Sequence, residues 1–269
     1  MFFPFRDDNP TTRPATVTYT IVAINVLALL WLSRQPELEQ VVAVHRYGFV
    51  PARVAQLVDP KPIQVPVEEL VQNRFGVVVA RRGVPPLEAN PGQIVLSWLT
   101  SMFLHGGWLH LVGNMWFLVI FGNNVEDRLG HLTYLVLYVL GGLTAAAFHW
   151  AGNPSSVAPV IGASGAVAAI LGAYAITWPW ARVRTLVFLF IFITIIDLPA
   201  LLVLGVWFLT QLLNATHQNV GVGENVAWWA HVGGFVAGAF LMPLMSSLVV
   251  SRPPKRLGAE PDQDFQNPF

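Results

Sequence analysis

Four polar side chains stand in stretches that are otherwise apolar: His110 and Asn114 within Leu109 to Gly122, Ser164 in Gly162-Ala163-Ser164-Gly165, and His231 in Ala230-His231-Val232-Gly233-Gly234. Polar groups in apolar helices are costly and usually face a bundle interior or an aqueous cavity, so each is a candidate functional residue. A serine hydroxyl is a weak nucleophile until a neighbouring base takes its proton, and a neutral histidine suits that task. Ser164 and His231 therefore read as a nucleophile and its base. Acyl transfer also needs donors aimed at the developing oxyanion. His110 and Asn114 are four residues apart, hence on one helical face, and can supply them; the Ser164 backbone N–H, at a helix start, can add another. No carboxylate is evident at the same depth, so the expectation is a dyad. The chain has no cysteine, which removes thiolate nucleophiles, thiolate metal sites and disulfides.

The elements that must position these residues are membrane helices. Hydrophobic residues make up 54% of the chain and charged residues only 11%, against roughly 25% charged in an ordinary soluble domain. The 15 basic and 15 acidic residues balance, which leaves no basic face for nucleic acid. Apolar segments lie at Val17 to Leu32, Leu109 to Gly122, Leu132 to Trp150, Ser164 to Trp178, Leu198 to Leu213 and Val226 to Val250. The first ends without a small-x-small cleavage pattern and reads as an uncleaved helix. Leu186 to Ile196 is also apolar, but as a helix it would reach only about 17 Å against a hydrocarbon core of roughly 30 Å, so it is expected to be interfacial or re-entrant. Asp197-Leu198-Pro199 is expected to cap the helix that follows. Six spans place Arg6, Arg13, Arg128, Arg182, Arg184, Arg252, Lys255 and Arg256 on one side, as the positive-inside rule asks, with both termini cytoplasmic. Gly234-x-x-x-Gly238 forms a small-residue seam, for which Gly165, Ala168, Ala169 and Gly172 offer a partner surface. Close approach there would bring Ser164 and His231 together.

Taken singly, each residue has an ordinary explanation: a serine between glycines packs, a buried histidine is satisfied, a histidine and an asparagine bridge helices. Taken together, at one depth, they meet the requirements of a catalytic site. A metal site at His105, His110 and His231 lacks both H-E-x-x-H and an intramembrane carboxylate. His45, His131, His149 and His217 are expected at the surface or interface, and the tryptophans near segment ends, such as Trp98, Trp108, Trp150 and Trp228, as interfacial markers.

The motifs resemble those of the rhomboid intramembrane serine proteases: His105-Gly106-Gly107-Trp108-Leu109-His110-Leu111-Val112-Gly113-Asn114, Glu126-Asp127-Arg128-Leu129-Gly130, Gly162-Ala163-Ser164-Gly165, and Ala230-His231-Val232-Gly233-Gly234 with Gly238, in family order over about Thr100 to Met245. The resemblance implies an all-α polytopic membrane protein, a six-transmembrane-helix rhomboid-like bundle with a long first extramembrane loop. It divides the chain into an N-terminal cytoplasmic tail (1–16), a membrane domain (17–250, loop about 33–93) and a polar C-terminal tail (251–269). It implies Ser164 as nucleophile, His231 as general base, and His110 and Asn114 at the oxyanion. His105, Glu126, Arg128, Gly162, Gly165, Gly234 and Gly238 become structural supports, and the fifth helix with the Asn214 to Asn225 loop becomes a movable gate and cap. The implied substrates are transmembrane proteins, cut near their outer ends from within the bilayer, with no cofactor, metal or nucleic acid. The short tails and the absence of a transit sequence lead to the expectation of a bacterial inner membrane. Ala168 stands where some members place an aromatic residue against the catalytic histidine, which leaves the positioning of His231 to helix packing. Trp98-Leu99 stands where many have Trp-Arg. Two other readings are a catalytically silent, client-binding member of the same architecture and a small-solute transporter, the latter disfavoured by the absence of repeat symmetry.

Overall fold

The computed structural model describes residues 2–73, 76–83, 85–189, 192–217 and 226–249. Helix α1 (Thr16–Ser33) is followed by α2 (Glu37–Tyr47), a 3-10 helix (Pro51–Leu57), a two-stranded hairpin of β2 (Pro66–Asn73) and β3 (Gly76–Gly83), and α3 (Pro91–Thr100). Then come α4 (Trp108–Leu129), α5 (His131–Gly152), α6 (Ser164–Thr177), the strands β4 (Arg182–Leu189) and β5 (Phe192–Pro199), α7 (Ala200–His217) and α8 (Trp228–Leu248), with β1 (Phe2–Asp7) ahead of them all. Among the described residues four helices, α1, α5, α7 and α8, are long and apolar enough to cross a membrane. A fifth candidate span is the pair formed by Pro91–Phe103 and α4, bent by 78°. The chain is a mostly helical integral membrane protein.

Helix α6 is the centre of the bundle. Every residue from Gly165 to Ala175 is buried, which is the expected fate of a helix apolar on all sides. Its small residues admit α4, α5 and α8 around it. With 14 residues it extends about 21 Å, less than the roughly 30 Å of a hydrocarbon core.

The opposite end of the bundle is tied by polar contacts. Helix α1 has no capping side chain of its own. Its orphan donors go instead to Glu126 of α4: the Val17 and Thr18 N–H groups donate to the two carboxylate oxygens at 2.8 Å each, and Thr18 Oγ1 donates at 2.7 Å. His131 Nδ1 donates to the same carboxylate at 2.6 Å. An anion at a helix N-terminus is favourable, and here it is 1% exposed. Next to it, Asp127 accepts from Thr12 N–H, Thr12 Oγ1 and Arg13 N–H. Arg128 lies in the last turn of α4, where the helix dipole favours a cation. Gly130, at φ +76°, makes the turn into α5.

Three expectations from the sequence give way at this end. Within the expected N-terminal tail, residues 2–7 form a strand, and residues 186–189 and 192–196 lie in two further strands, so the fold is not all-α. The order is β1-β4-β5, antiparallel throughout, with Pro4 opposite Thr185 and Arg184 opposite Asp197. Asp197 consequently caps no helix; it lies in β5 with Oδ1 3.4 Å from Arg184 Nε, and α7 begins at Ala200. The physical reason is the composition of this stretch, rich in β-branched and aromatic residues, together with strand partners on both sides of β4. Trp116 Nε1 of α4 donates to the Pro4 carbonyl at 2.8 Å. Asp7 accepts from Asn124 Nδ2 and from the Tyr174 hydroxyl of α6, both at 2.7 Å.

The connection between α1 and α4 is folded. Arg53, 2% exposed, donates to Gln56 and Gln93 side chains and to the Glu88 carbonyl. Phe49 pairs with Val160 through reciprocal backbone bonds and packs its ring 4.5 Å from Trp98. These contacts do the anchoring that Trp98-Leu99 left to other residues. His45 is buried, with Nδ1 donating to the Val41 carbonyl, and His149 is buried as well, so neither lies on the exposed surface.

Burial holds the Asp7 carboxyl at about 6, above its ordinary 3.8. The folded protein therefore binds this proton more tightly than the unfolded chain. The contribution of the Asp7 contact to stability is full below about pH 4 and is lost as pH rises through about 6. Melting temperature in detergent should fall between about pH 5 and about pH 7.5. Asp7→Asn, a neutral acceptor for Tyr174, should flatten that slope; an unchanged slope would remove Asp7 as its source.

Candidate active site

The site is built by two backbones in contact. On α8, a Cβ at Gly234 would collide with the Gly165 carbonyl and one at Gly238 with the Ala169 carbonyl; on α6, a Cβ at Gly172 would collide with the Phe235 carbonyl. Gly165 faces α5 as well, where an added Cβ would lie 2.6 Å from that of Ala145. The seam anticipated from the spacing of small residues is thus the actual contact, and it leaves no space for a side chain between α6 and α8 at these levels.

That contact sets the start of α6 against the first turn of α8. Ser164 Oγ lies 2.9 Å from His231 Nε2. The other ring nitrogen, Nδ1, is 2.7 Å from Oε1 of Gln211 on α7, a residue 6% exposed. Trp207 lies tilted beside the imidazole and Trp228 edge-on to it, each with ring centroids 5.9 Å away. The expectation of a bare pair positioned by helix packing is therefore incomplete. Gln211 is the functional candidate that sequence reasoning missed, although the signal was present: a long polar side chain in an apolar helix, which deserves the same attention as Ser164 or His231.

His105, Asn114 and His110 assemble on the other side of Ser164. His105 is fully buried. Its Nε2 accepts from Asn114 Nδ2 at 3.0 Å and from the Ala163 N–H at 3.5 Å, which ties the turn before Ser164 to α4. One N–H of the Asn114 amide is thereby used and its second is available. His110 stands with its ring edge-on to His105, centroids 5.0 Å apart. Gly162 is the floor beneath both side chains: a Cβ there would lie 2.8 Å from the His110 ring and 3.6 Å from Asn114 Nδ2. Its φ of +123° is one that L side chains rarely adopt, and its N–H donates to the Ser101 carbonyl at 2.9 Å. An open depression of about 570 Å³ lies over Gly106 to His110, so His110 is reachable from outside the bundle.

Of the residues singled out from the sequence, Ser164, His231, His110, Asn114, His105, Gly162, Gly165 and Gly234 converge on this region, and Gly238 maintains the seam one turn below. Glu126 and Arg128 do not; they lie at the far end of α4, where Glu126 caps α1. Among the described residues no group of three or more His, Asp or Glu side chains could hold a metal ion. The Asn214 to Asn225 loop and the 251–269 tail lie outside the described residues, except for 214–217 at the end of α7. Chemically, the arrangement places a hydroxyl against an imidazole nitrogen at a helix N-terminus, with amide and imidazole donors close by. Those are the components of acyl transfer.

If the seam sets the Ser164 to His231 distance, Gly238→Ala must force α8 away from Ala169. A stability loss of about 1 to 3 kcal/mol is expected in detergent melting, together with weakened docking of α8. A wild-type melting temperature would show that the helices are not in contact there.

The model of the rhomboid domain matches residues 92–248. The chain is 27% identical over 165 residues to Rhomboid-like protein 11, chloroplastic, of Arabidopsis thaliana, covering 56% of this chain and 52% of that protein. It is 30% identical over 148 residues to RHOMBOID-like protein 5 of Arabidopsis thaliana, covering 53% and 41%. It is 36% identical over 80 residues to Rhomboid-like protease 5 of Toxoplasma gondii, covering 27% and 8%. The chain thus spans about half, or less, of the length of the relatives it matches.

Proposed function

The chain belongs to the rhomboid family, and on that footing we propose that it is an intramembrane serine endopeptidase hydrolysing peptide bonds of transmembrane protein substrates, with Ser164 as nucleophile and His231 as general base. The observation that carries this reading is the 2.9 Å contact between Ser164 Oγ and His231 Nε2. Proton transfer to Nε2 lets Oγ attack the scissile carbonyl. The tetrahedral oxyanion then faces the Ser164 N–H, the second N–H of Asn114 and the His110 ring. His231 passes its proton to the departing amine, an acyl-enzyme remains on Ser164, and water activated by the same imidazole releases it. His105, Gly162 and Gly165 hold these groups in place; Glu126 and Arg128 secure the opposite end.

The membrane arrangement that fits this chemistry has six spans: α1, α4, α5, α6, α7 and α8, with the connection around residues 33–93 outside the bilayer. Both termini lie on one side and the catalytic pocket opens toward the other. It draws support from two groups of contacts: the N-terminal segment is bonded to the C-terminal ends of α4 and α6 through Asp127 and Asp7, whereas His110 and Ser164 open those same helices. Because the chain has no native cysteine, single cysteines report orientation cleanly. Thr11→Cys and Ser155→Cys are expected to react with an impermeant maleimide from opposite faces of sealed vesicles; reaction from one face would refute the six-span arrangement.

The central test is cleavage of a model transmembrane substrate by the reconstituted protein. Wild type should cut, Ser164→Ala and His231→Ala should not, and a fluorophosphonate should label Ser164 only when His231 is present. Equal processing by wild type and Ser164→Ala would exclude the protease assignment, while substrate retention without cleavage by either would favour a client-binding member.

A further inference from the structure

His231 uses both ring nitrogens, and the role of each is dictated by Gln211. The Gln211 amide nitrogen donates to the Trp207 carbonyl at 3.2 Å and to Thr210 Oγ1 at 3.1 Å, while the Thr210 hydroxyl itself donates to the Trp207 carbonyl at 2.6 Å. The amide is thus turned so that Oε1 faces His231 Nδ1 at 2.7 Å. An amide oxygen can only accept, so Nδ1 must carry the ring proton. Nε2 then presents its lone pair to Ser164 Oγ at 2.9 Å. The opposite tautomer would set two acceptors against each other in a buried position, which is costly.

We propose that Gln211 is a positioning residue that holds His231 in the Nδ1–H tautomer and in the ring plane needed to receive the Ser164 proton. Resting on the protease reading above, it makes the catalytic group a property of three helices: Ser164 from α6, His231 from α8 and Gln211 from α7. The nucleophile and base are matched only while α7 is seated on α8, a contact made by Phe208 stacked on Phe235 at 4.6 Å and by Trp207 beside the same ring at 6.2 Å. Gln211 does not touch the reacting atoms. It acts through the imidazole.

The test compares the full-length wild type with Gln211→Met, which keeps the volume and removes the acceptor, and Gln211→Glu, which keeps the acceptor and adds charge. The other ionisable groups acting on His231 are His110 of α4 and His149 of α5, and both variants leave them intact. Gln211→Met is expected to lower kcat by about 10- to 100-fold with KM little changed, and to slow fluorophosphonate labelling of Ser164 by a similar factor. Gln211→Glu should recover most of the rate and move the acid limb of the kcat/KM profile to higher pH, because a carboxylate holds the protonated ring more firmly. Wild-type kinetics in Gln211→Met, or equal impairment of both variants with an unmoved acid limb, would overturn the proposal. Nitrogen-15 spectra of the histidine ring read the tautomer without any substrate. A single Nδ1–H form in wild type and a mixture in Gln211→Met are expected; a mixture in wild type, or an unchanged single form in the variant, overturns the role of Gln211. Tautomer control by Gln211 together with a wild type that neither cleaves nor labels would instead overturn the protease reading alone.

Discussion

Between α6 and α8 no side chain fits at Gly172, Gly234 or Gly238, and the separation of Ser164 and His231 follows from that contact. In lipid, apolar side chains gain little by leaving one surrounding for another, so helix association relies on close packing and on polar bonds between helices. Backbone contact maximises the first. It also removes freedom: with carbonyls of α6 against α carbons of α8, the two helices can neither rotate nor slide without collision. Ser164 and His231 stand within the first turns beyond the contact, which is why a 2.9 Å separation can persist between residues 67 positions apart.

The other end of the bundle obeys a different rule. There the backbone donors of α1 and the start of the chain need partners. Glu126, Asp127 and Asp7 supply acceptors from α4 and β1, each satisfying several donors at once. An isolated carboxylate buried in this way would be expensive; surrounded by donors it becomes a fastening. The molecule is therefore held by dispersion at its middle, by hydrogen bonds to carboxyl groups at one end, and leaves the other end open around His110.

How much of this was legible depended on whether the signal was local. Ser164, His231, His110 and Asn114 stood out because a polar residue in an apolar helix is conspicuous, and Gly234 with Gly238 because helical spacing puts them on one face. Gln211 carried the same kind of signal but lacked a motif around it. Its meaning arises only when α7 lies beside α8. The sheet was illegible for a deeper reason: β1 and β4 are about 180 residues apart, and strand pairing at that range leaves no periodicity in either segment. Leu186 to Ile196 is apolar enough for several structures, so its composition did not determine its conformation. Asp197 before a proline resembles a helix cap, yet the register of β5 opposite Arg184 overrides that local preference.

An amide at Nδ1 also determines the electrostatic self-energy of the resting site. A carboxylate there would bring a full charge into a region of low dielectric constant, with a solvation cost of several kcal/mol that its hydrogen bond to the ring would offset only in part. Gln211 fixes the ring with a dipole in place of a charge. The contact between α7 and α8 then carries no monopole, and separating the two helices exposes neutral groups to lipid or water. A charged latch would resist such opening strongly. A neutral one lets the same hydrogen bond be broken and remade at modest cost.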